Sequence, residues 1–158
     1  YTCGTPEAPV NAIPPRAWAR CQVRFVVGID PNDIVPALRR HLKRHGFGKV
    51  VVEPSRESFF KATRLDPDHP WVRFVSASLE RTGGKAPTII PNAGGSLPND
   101  VFSETLGLPT IWIPHSYGGC SQHAPNEHVP TSLVREALEL MAGLYFDIGE
   151  GGHPGKKA

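Results

Sequence analysis

From Arg16 to Val27 the chain alternates, with Ala17, Ala19, Cys21, Val23, Phe25 and Val27 on one side and Trp18, Arg20, Gln22, Arg24 and Val26 on the other. A period of two with one apolar and one largely polar side predicts a half-buried strand. Tyr1 to Pro15, dense in proline, reads as extended or loop. Gly28-Ile29-Asp30-Pro31 ends the strand and opens a helix, with Asp30 or Asn32 as candidate cap. Ile34, Leu38 and Leu42 recur at helical spacing, opposite Arg39, Arg40, Lys43 and Arg44. Proline in a helix interior removes a bond and crowds the preceding turn, so Pro36 predicts a regular helix beginning just before it. Gly46 and Gly48 stop that helix, and Lys49 to Glu53 predicts a short β-branched strand.

Pro54 to Asp68 is polar and poorly periodic, which places a domain boundary near its end. Pro70 to Glu80 predicts a helix with Trp71, Phe74, Val75 and Leu79 on one face, closed by Gly83-Gly84. Ala86 to Ile90 and Thr110 to Ile113 predict short buried strands. Pro98 to Leu106 predicts a helix, with proline at its start and Gly107 past its end. Val129 to Phe146 carries the clearest helical stripe, Leu133, Ala137, Leu140 and Leu144. Helices alternating with short apolar strands predict an α/β layer. The expected organisation is a first domain over 1–66, a second over 67–150 and a flexible tail over 151–158.

The length of 158 residues and a hydrophobic share of 39% suit one medium domain or two small ones. A net charge of +2 is too small to argue for nucleic acid, and no tract interleaves basic and aromatic residues. No apolar run approaches the roughly 20 residues that cross a bilayer. The opening Tyr1-Thr2-Cys3-Gly4 shows no secretory leader and reads as mid-loop, so the true N-terminus is expected to lie elsewhere. Cys3, Cys21 and Cys120 are odd in number and scattered, which fits reduced thiols in a cytoplasmic protein better than a disulfide framework.

Candidate chemistry gathers in two loops. His115 to His128 holds three histidines and Glu127 between a predicted strand and a predicted helix, where open α/β sheets place their sites. Glycines before His123 and Pro125-Asn126 after it can hold the ring while leaving a nitrogen open to a ligand. A surface loop whose histidines bond only the backbone stays equally open, since no histidine pair sits at a familiar zinc interval. Glu127 fits either a support for a neighbouring ligand or a carboxylate in the first turn of the next helix. Asn92-Ala93-Gly94-Gly95-Ser96-Leu97-Pro98 precedes a helix start, so its glycines and free amides suit a carboxylate or phosphate cradle. An ordinary turn with Ser96 as cap is the simpler reading.

Together these stretches resemble the co-catalytic zinc exopeptidases and deacylases, among them acetylornithine deacetylase, succinyl-diaminopimelate desuccinylase, glutamate carboxypeptidase, carnosine dipeptidase and aminoacylase. Asn11-Ala12-Ile13-Pro14, Arg24-Phe25-Val26 and Arg40-His41-Leu42 resemble the second half of that family's lid. Gly94-Gly95-Ser96-Leu97-Pro98, Gly107-Leu108-Pro109 and His123-Ala124-Pro125-Asn126-Glu127 resemble the end of its catalytic domain, in the same order. The resemblance implies a partial α+β lid of ferredoxin-like type, used for dimerisation, followed by the C-terminal half of a doubly wound catalytic domain. It implies that His123 is a metal ligand, that Asn92 and Gly94, Gly95 and Ser96 receive the substrate's carboxylate, and that Asn11 offers a polar group to a partner's site. Glu127 takes a supporting role, and no residue here is assigned as catalytic.

The family hydrolyses amides with two zinc ions, or other divalent metals, that hold a hydroxide and polarise the carbonyl while a glutamate moves its proton. Its implied substrate is a small peptide or N-acyl amino acid, its implied state a homodimer, with no nucleic acid or membrane involved. Two departures stand out. One branch carries arginine where Asn92 stands, and asparagine makes no bidentate ionic clamp. No stretch matches the remaining metal ligands, the general base or the lid's oxyanion histidine. A chain with His123 alone is therefore expected to be metal-free and inactive by itself, as part of an active parent. A non-catalytic dimerisation or peptide-binding module on the same scaffold is the alternative, and an unrelated α/β domain the remaining one.

Overall fold

Among the described residues, the main apolar packing is carried by a helix pair. In the computed structural model, which describes residues 2–55 and 59–155, the second helix (α2, Pro70–Gly83) lies against the third (α3, Thr131–Glu150). Both belong to the compact unit Thr63–Ala158, while Tyr1–Ala62 forms the other unit. Val75, Leu79 and Leu144 are buried between the two helices, and Phe74, Leu140, Met141 and Ile148 pack around them. Burying a side chain of this size contributes roughly 1.5–3 kcal/mol, so this small cluster sets the stability of the unit. The α3 stripe through Leu140 and Leu144 matches its expected inner face. On α2 the buried set also includes Val72 and Ser78, which the expected face omitted.

The helix ends follow local chemistry. Pro70 takes the first helical position of α2, and the preceding His69 accepts a hydrogen bond from Trp71 N–H through Nδ1 at 3.2 Å. Gly84 ends α2 in the left-handed conformation, and Gly151 does the same for α3. In α3 the helix runs four residues beyond the expected Phe146. The segment past it is also docked: His153 stacks on Trp71 with ring centroids 5.5 Å apart, where a flexible tail was expected. The last residues of that tail, 156–158, lie outside the described residues.

In the first unit, Thr2–Cys3 (β1) and Ala17–Trp18 (β2) form a two-residue antiparallel ladder, with Thr2 opposite Trp18 and Cys3 opposite Ala17. The first helix (α1, Pro31–Arg44) starts at Asp30, whose Oδ1 accepts from Asn32 N–H at 2.9 Å. The helix therefore begins five residues before Pro36, not just before it. Asp30 and Pro31 supply a complete start signal, and the carbonyl that Pro36 leaves unbonded belongs to exposed Asn32. Arg40 clamps Asp33 two turns back with contacts of 2.8 and 2.9 Å, and Arg39 donates to the Val52 carbonyl at 2.6 Å.

The expected strands largely fail to form. Of Arg16 to Val27 only Ala17–Trp18 enters a ladder, and Lys49 to Glu53, Ala86 to Ile90 and Thr110 to Ile113 enter none. A strand exists only through a neighbour that accepts its ladder bonds and a layer that covers its apolar face. Among the described residues of the first unit none is buried; Val51 there and Ile90 in the second unit remain 79% and 70% exposed. The segment around Trp112 keeps strand-like alternation without a ladder: Ile111 and Ile113 pack on the helix pair. Pro98 to Leu106 gives a short helical stretch that opens at Asn99 and continues as the π-helical turn Val101–Thr105, close to the expected bounds, and a three-residue 3₁₀ turn, Gly118–Cys120, lies farther on.

Candidate functional site

Three non-glycine residues with positive φ occur among the described residues, and all lie in one stretch: Ser121 at 54°, His123 at 61° and Asn126 at 64°. Side chains other than asparagine resist this left-handed region, so its use here marks a loop whose shape is imposed by other bonds. Those bonds are visible. Cys120 is buried at the loop's base, and its carbonyl accepts from His128 N–H at 3.0 Å, closing the loop. Ala124 N–H donates to the Ser121 carbonyl at 3.0 Å, and the His128 Nδ1 lies 2.8 Å from the Asn126 carbonyl oxygen. Gln122 donates to Ser116 Oγ at 2.5 Å.

His123 sits at the tip of this loop, exposed, and its ring makes no hydrogen bond among the described residues. Of the loop's histidines, His128 bonds the backbone as the simple surface-loop reading expects, whereas His123 does not. Glu127 is exposed, and α3 begins four residues later at Thr131. It therefore lies outside the first turn, which removes the helix-favouring role considered for it.

The glycine loop is shaped by an indole. A Cβ placed on Gly95 would meet Trp112 Cζ3 at 2.7 Å, so only glycine allows the backbone this close to the ring. Asn92, Gly94 and Ser96 are exposed. The π-helical turn starts at Val101, and its cap position, Asp100, makes no side-chain capping bond. Ser96 makes no side-chain hydrogen bond among the described residues, and the helical stretch opens at Asn99, three residues farther on. Any anion cradle here would rest on the loop's own amides. In the other unit, Asn11 occupies the tip of a three-residue turn closed by Ala12 N–H donating to the Val10 carbonyl at 2.9 Å.

Among the described residues no three His, Cys, Asp or Glu side chains are placed to share a metal ion. One exposed imidazole does not fit a zinc site, which takes at least three protein ligands. No described helix is long and apolar enough to cross a membrane.

A separate cleft lies in the same unit, between Thr63–Leu65, His69 and the Gly107–Thr110 segment, with a volume of about 270 Å³. Neither His123 nor the glycine loop lines it. The sequence pattern offers one hint of it, Pro70 at a helix start, but histidine is an uncommon cap and nothing local singles out His69.

No protein-family model matches the chain, and no curated protein does. Among solved structures, the crystal structure of an M20 family metallo-carboxypeptidase from Sulfolobus solfataricus is similar, with a TM-score of 0.61 and 23% sequence identity. The likeness covers 79% of this chain and 29% of that one. The chain thus shares its fold with under a third of an M20 family metallo-carboxypeptidase.

Proposed function

We propose that this chain is one portion of a metal-dependent amide hydrolase, to which it contributes one metal-binding imidazole and the loop that receives the substrate. The observation that carries this reading is His123, held at the tip of a closed loop in a strained backbone conformation with its ring open to solvent. A residue kept in such a conformation without packing inward is a candidate for a role outside the chain's own stability. The fold shared with an M20 family metallo-carboxypeptidase supports it. In this reading the Gly94–Ser96 loop, seated on Trp112, receives the substrate's carboxylate, Glu127 supports the imidazole, and a small peptide or N-acyl amino acid is the substrate. Asn92 makes only a neutral contact there, and Asn11 acts across a homodimer. Zinc, two ions with most ligands supplied by other polypeptide, is the expected metal.

Two measurements test this. Zinc titrated calorimetrically into the chain alone should show no site with nanomolar affinity. The complete gene product should hydrolyse dipeptides or N-acyl amino acids, and both a chelator and His123→Ala should abolish the reaction. Hydrolysis that survives His123→Ala would sink the assignment, and absence of hydrolysis with folded, zinc-loaded protein would favour a non-catalytic module.

A further inference from the structure

We infer that the cleft beside the start of α2 binds a carboxylate that carries a short aliphatic group. This site is independent of the hydrolase reading, because His123 and the glycine loop do not line it.

The donors in the cleft set the sign of its ligand. Arg64 lines it, is exposed, and makes no ion pair or hydrogen bond among the described residues. His69 also lines it. Because its Nδ1 accepts from Trp71 N–H, the neutral ring carries its proton on Nε2, and that N–H is a donor without a partner among the described residues. Thr63 Oγ1 accepts from Asn99 Nδ2 at 3.4 Å, which leaves its own hydroxyl proton to donate. Among the described residues, no aspartate or glutamate lines the cleft. Arg64, His69 and Thr63 line one space, and among the described residues no carboxylate joins them, a set of side chains that suits an anion with at least two acceptor oxygens.

The walls set the rest of the ligand. Leu65, Leu108 and Pro109 line the same cleft, and about 270 Å³ is below the usual range for a cofactor or drug-sized molecule. That space suits a carboxylate with a few carbons attached and gives phosphate no partner for its remaining oxygens on the apolar side. Such a group could come from a free short-chain acid or from the C-terminus of a peptide, and the two are distinguishable.

The test is an amide-resolved NMR titration of the chain with butyrate, with acetyl-Gly-Val bearing a free or an amidated C-terminus, and with inorganic phosphate. Butyrate or the free peptide should saturate, with dissociation constants on the order of millimolar, and shift amides at Thr63–Leu65 and Gly107–Thr110. Saturation by butyrate alone identifies a free acid as the source, and saturation by the free peptide identifies a C-terminus. Arg64→Gln should weaken binding by about tenfold or more. Arg64 makes no ion pair, so the variant is expected to fold, and Leu108→Asn provides a second probe that should weaken butyrate but spare acetate. Equal binding of the amidated peptide, tighter binding of phosphate than of butyrate, indifference to Arg64→Gln, or no saturable shift in the cleft would each overturn the inference.

Discussion

Ser78, buried at the α2–α3 contact, donates a hydrogen bond to Asp147 Oδ2 at 2.5 Å, and Arg81 reaches the same oxygen at 2.6 Å. A hydroxyl and a guanidinium thus converge on one carboxylate where two helices meet. The bond from Ser78, then that from Arg81, hold the Asp147 carboxyl below the ordinary carboxylate range. A group depressed in the folded state binds its proton less readily there than in the unfolded chain. Its contribution to stability is complete above the unfolded value and disappears as pH falls through the folded one. Thermal melts of the parent should therefore lose stability below about pH 4, and Asp147→Asn should flatten that part of the curve. Parallel pH curves for the two proteins would contradict the coupling.

The same helix contact depends on a missing side chain. Gly143 of α3 faces Thr82 of α2, and a Cβ at 143 would collide with the Thr82 hydroxyl and methyl. Gly143→Ala should therefore destabilise by about 1–3 kcal/mol, the usual cost of overpacking, despite alanine's better helix propensity. Thr82→Ala removes the colliding atoms, so the double variant should recover most of the loss. Denaturant unfolding of the four proteins measures the cycle, and additive losses would place the strain elsewhere.

How much of this was legible depended on whether the signal was local. Asp30, Pro31 and Pro70 at helix starts, Gly84 at a helix end, and the Leu140–Leu144 stripe each act within a few residues, and each is found where the pattern placed it. The strands are not legible for the opposite reason. Val23, Val26 and Ile89 have the composition of strands, but a ladder needs a partner that no local pattern supplies, and all three are about half exposed. The site divides in the same way. The glycine and histidine loops were visible as motifs, while the cleft around Arg64 and His69 joins residues some forty positions apart in sequence and left no pattern.

His123 should be a residue the fold would rather replace. A left-handed conformation costs a side chain with a Cβ roughly 1 kcal/mol, and the ring makes no hydrogen bond among the described residues to offset it. His123→Gly is expected to leave the chain as stable or up to about 1 kcal/mol more stable, even after the added freedom of the unfolded glycine. His123→Val, β-branched, should destabilise by more than His123→Ala does. Chemical denaturation of the three variants checks the order. A large loss with His123→Gly would mean that the imidazole holds the loop together, and the case for its external role would weaken.

The contact between His153 and Trp71 makes a final expectation about the end of the chain. The two rings are nearly parallel, 21° between planes, and Phe74 meets Trp71 edge-on at 5.8 Å. Gly155 N–H donates to His153 Nδ1 at 3.2 Å, which turns the backbone back toward the stack, and a Cβ on Gly155 would already touch the indole. Aromatic pairs of this kind contribute roughly 0.5–1.5 kcal/mol beyond the area they bury. His153→Ala should lower stability by about that amount and shift Trp71 emission to longer wavelength as water reaches the ring. With Trp18 and Trp112 replaced by phenylalanine, Trp71 is the remaining tryptophan, so its spectrum reads the stack directly. An unchanged emission maximum in His153→Ala would show that the segment after α3 leaves the indole in solution.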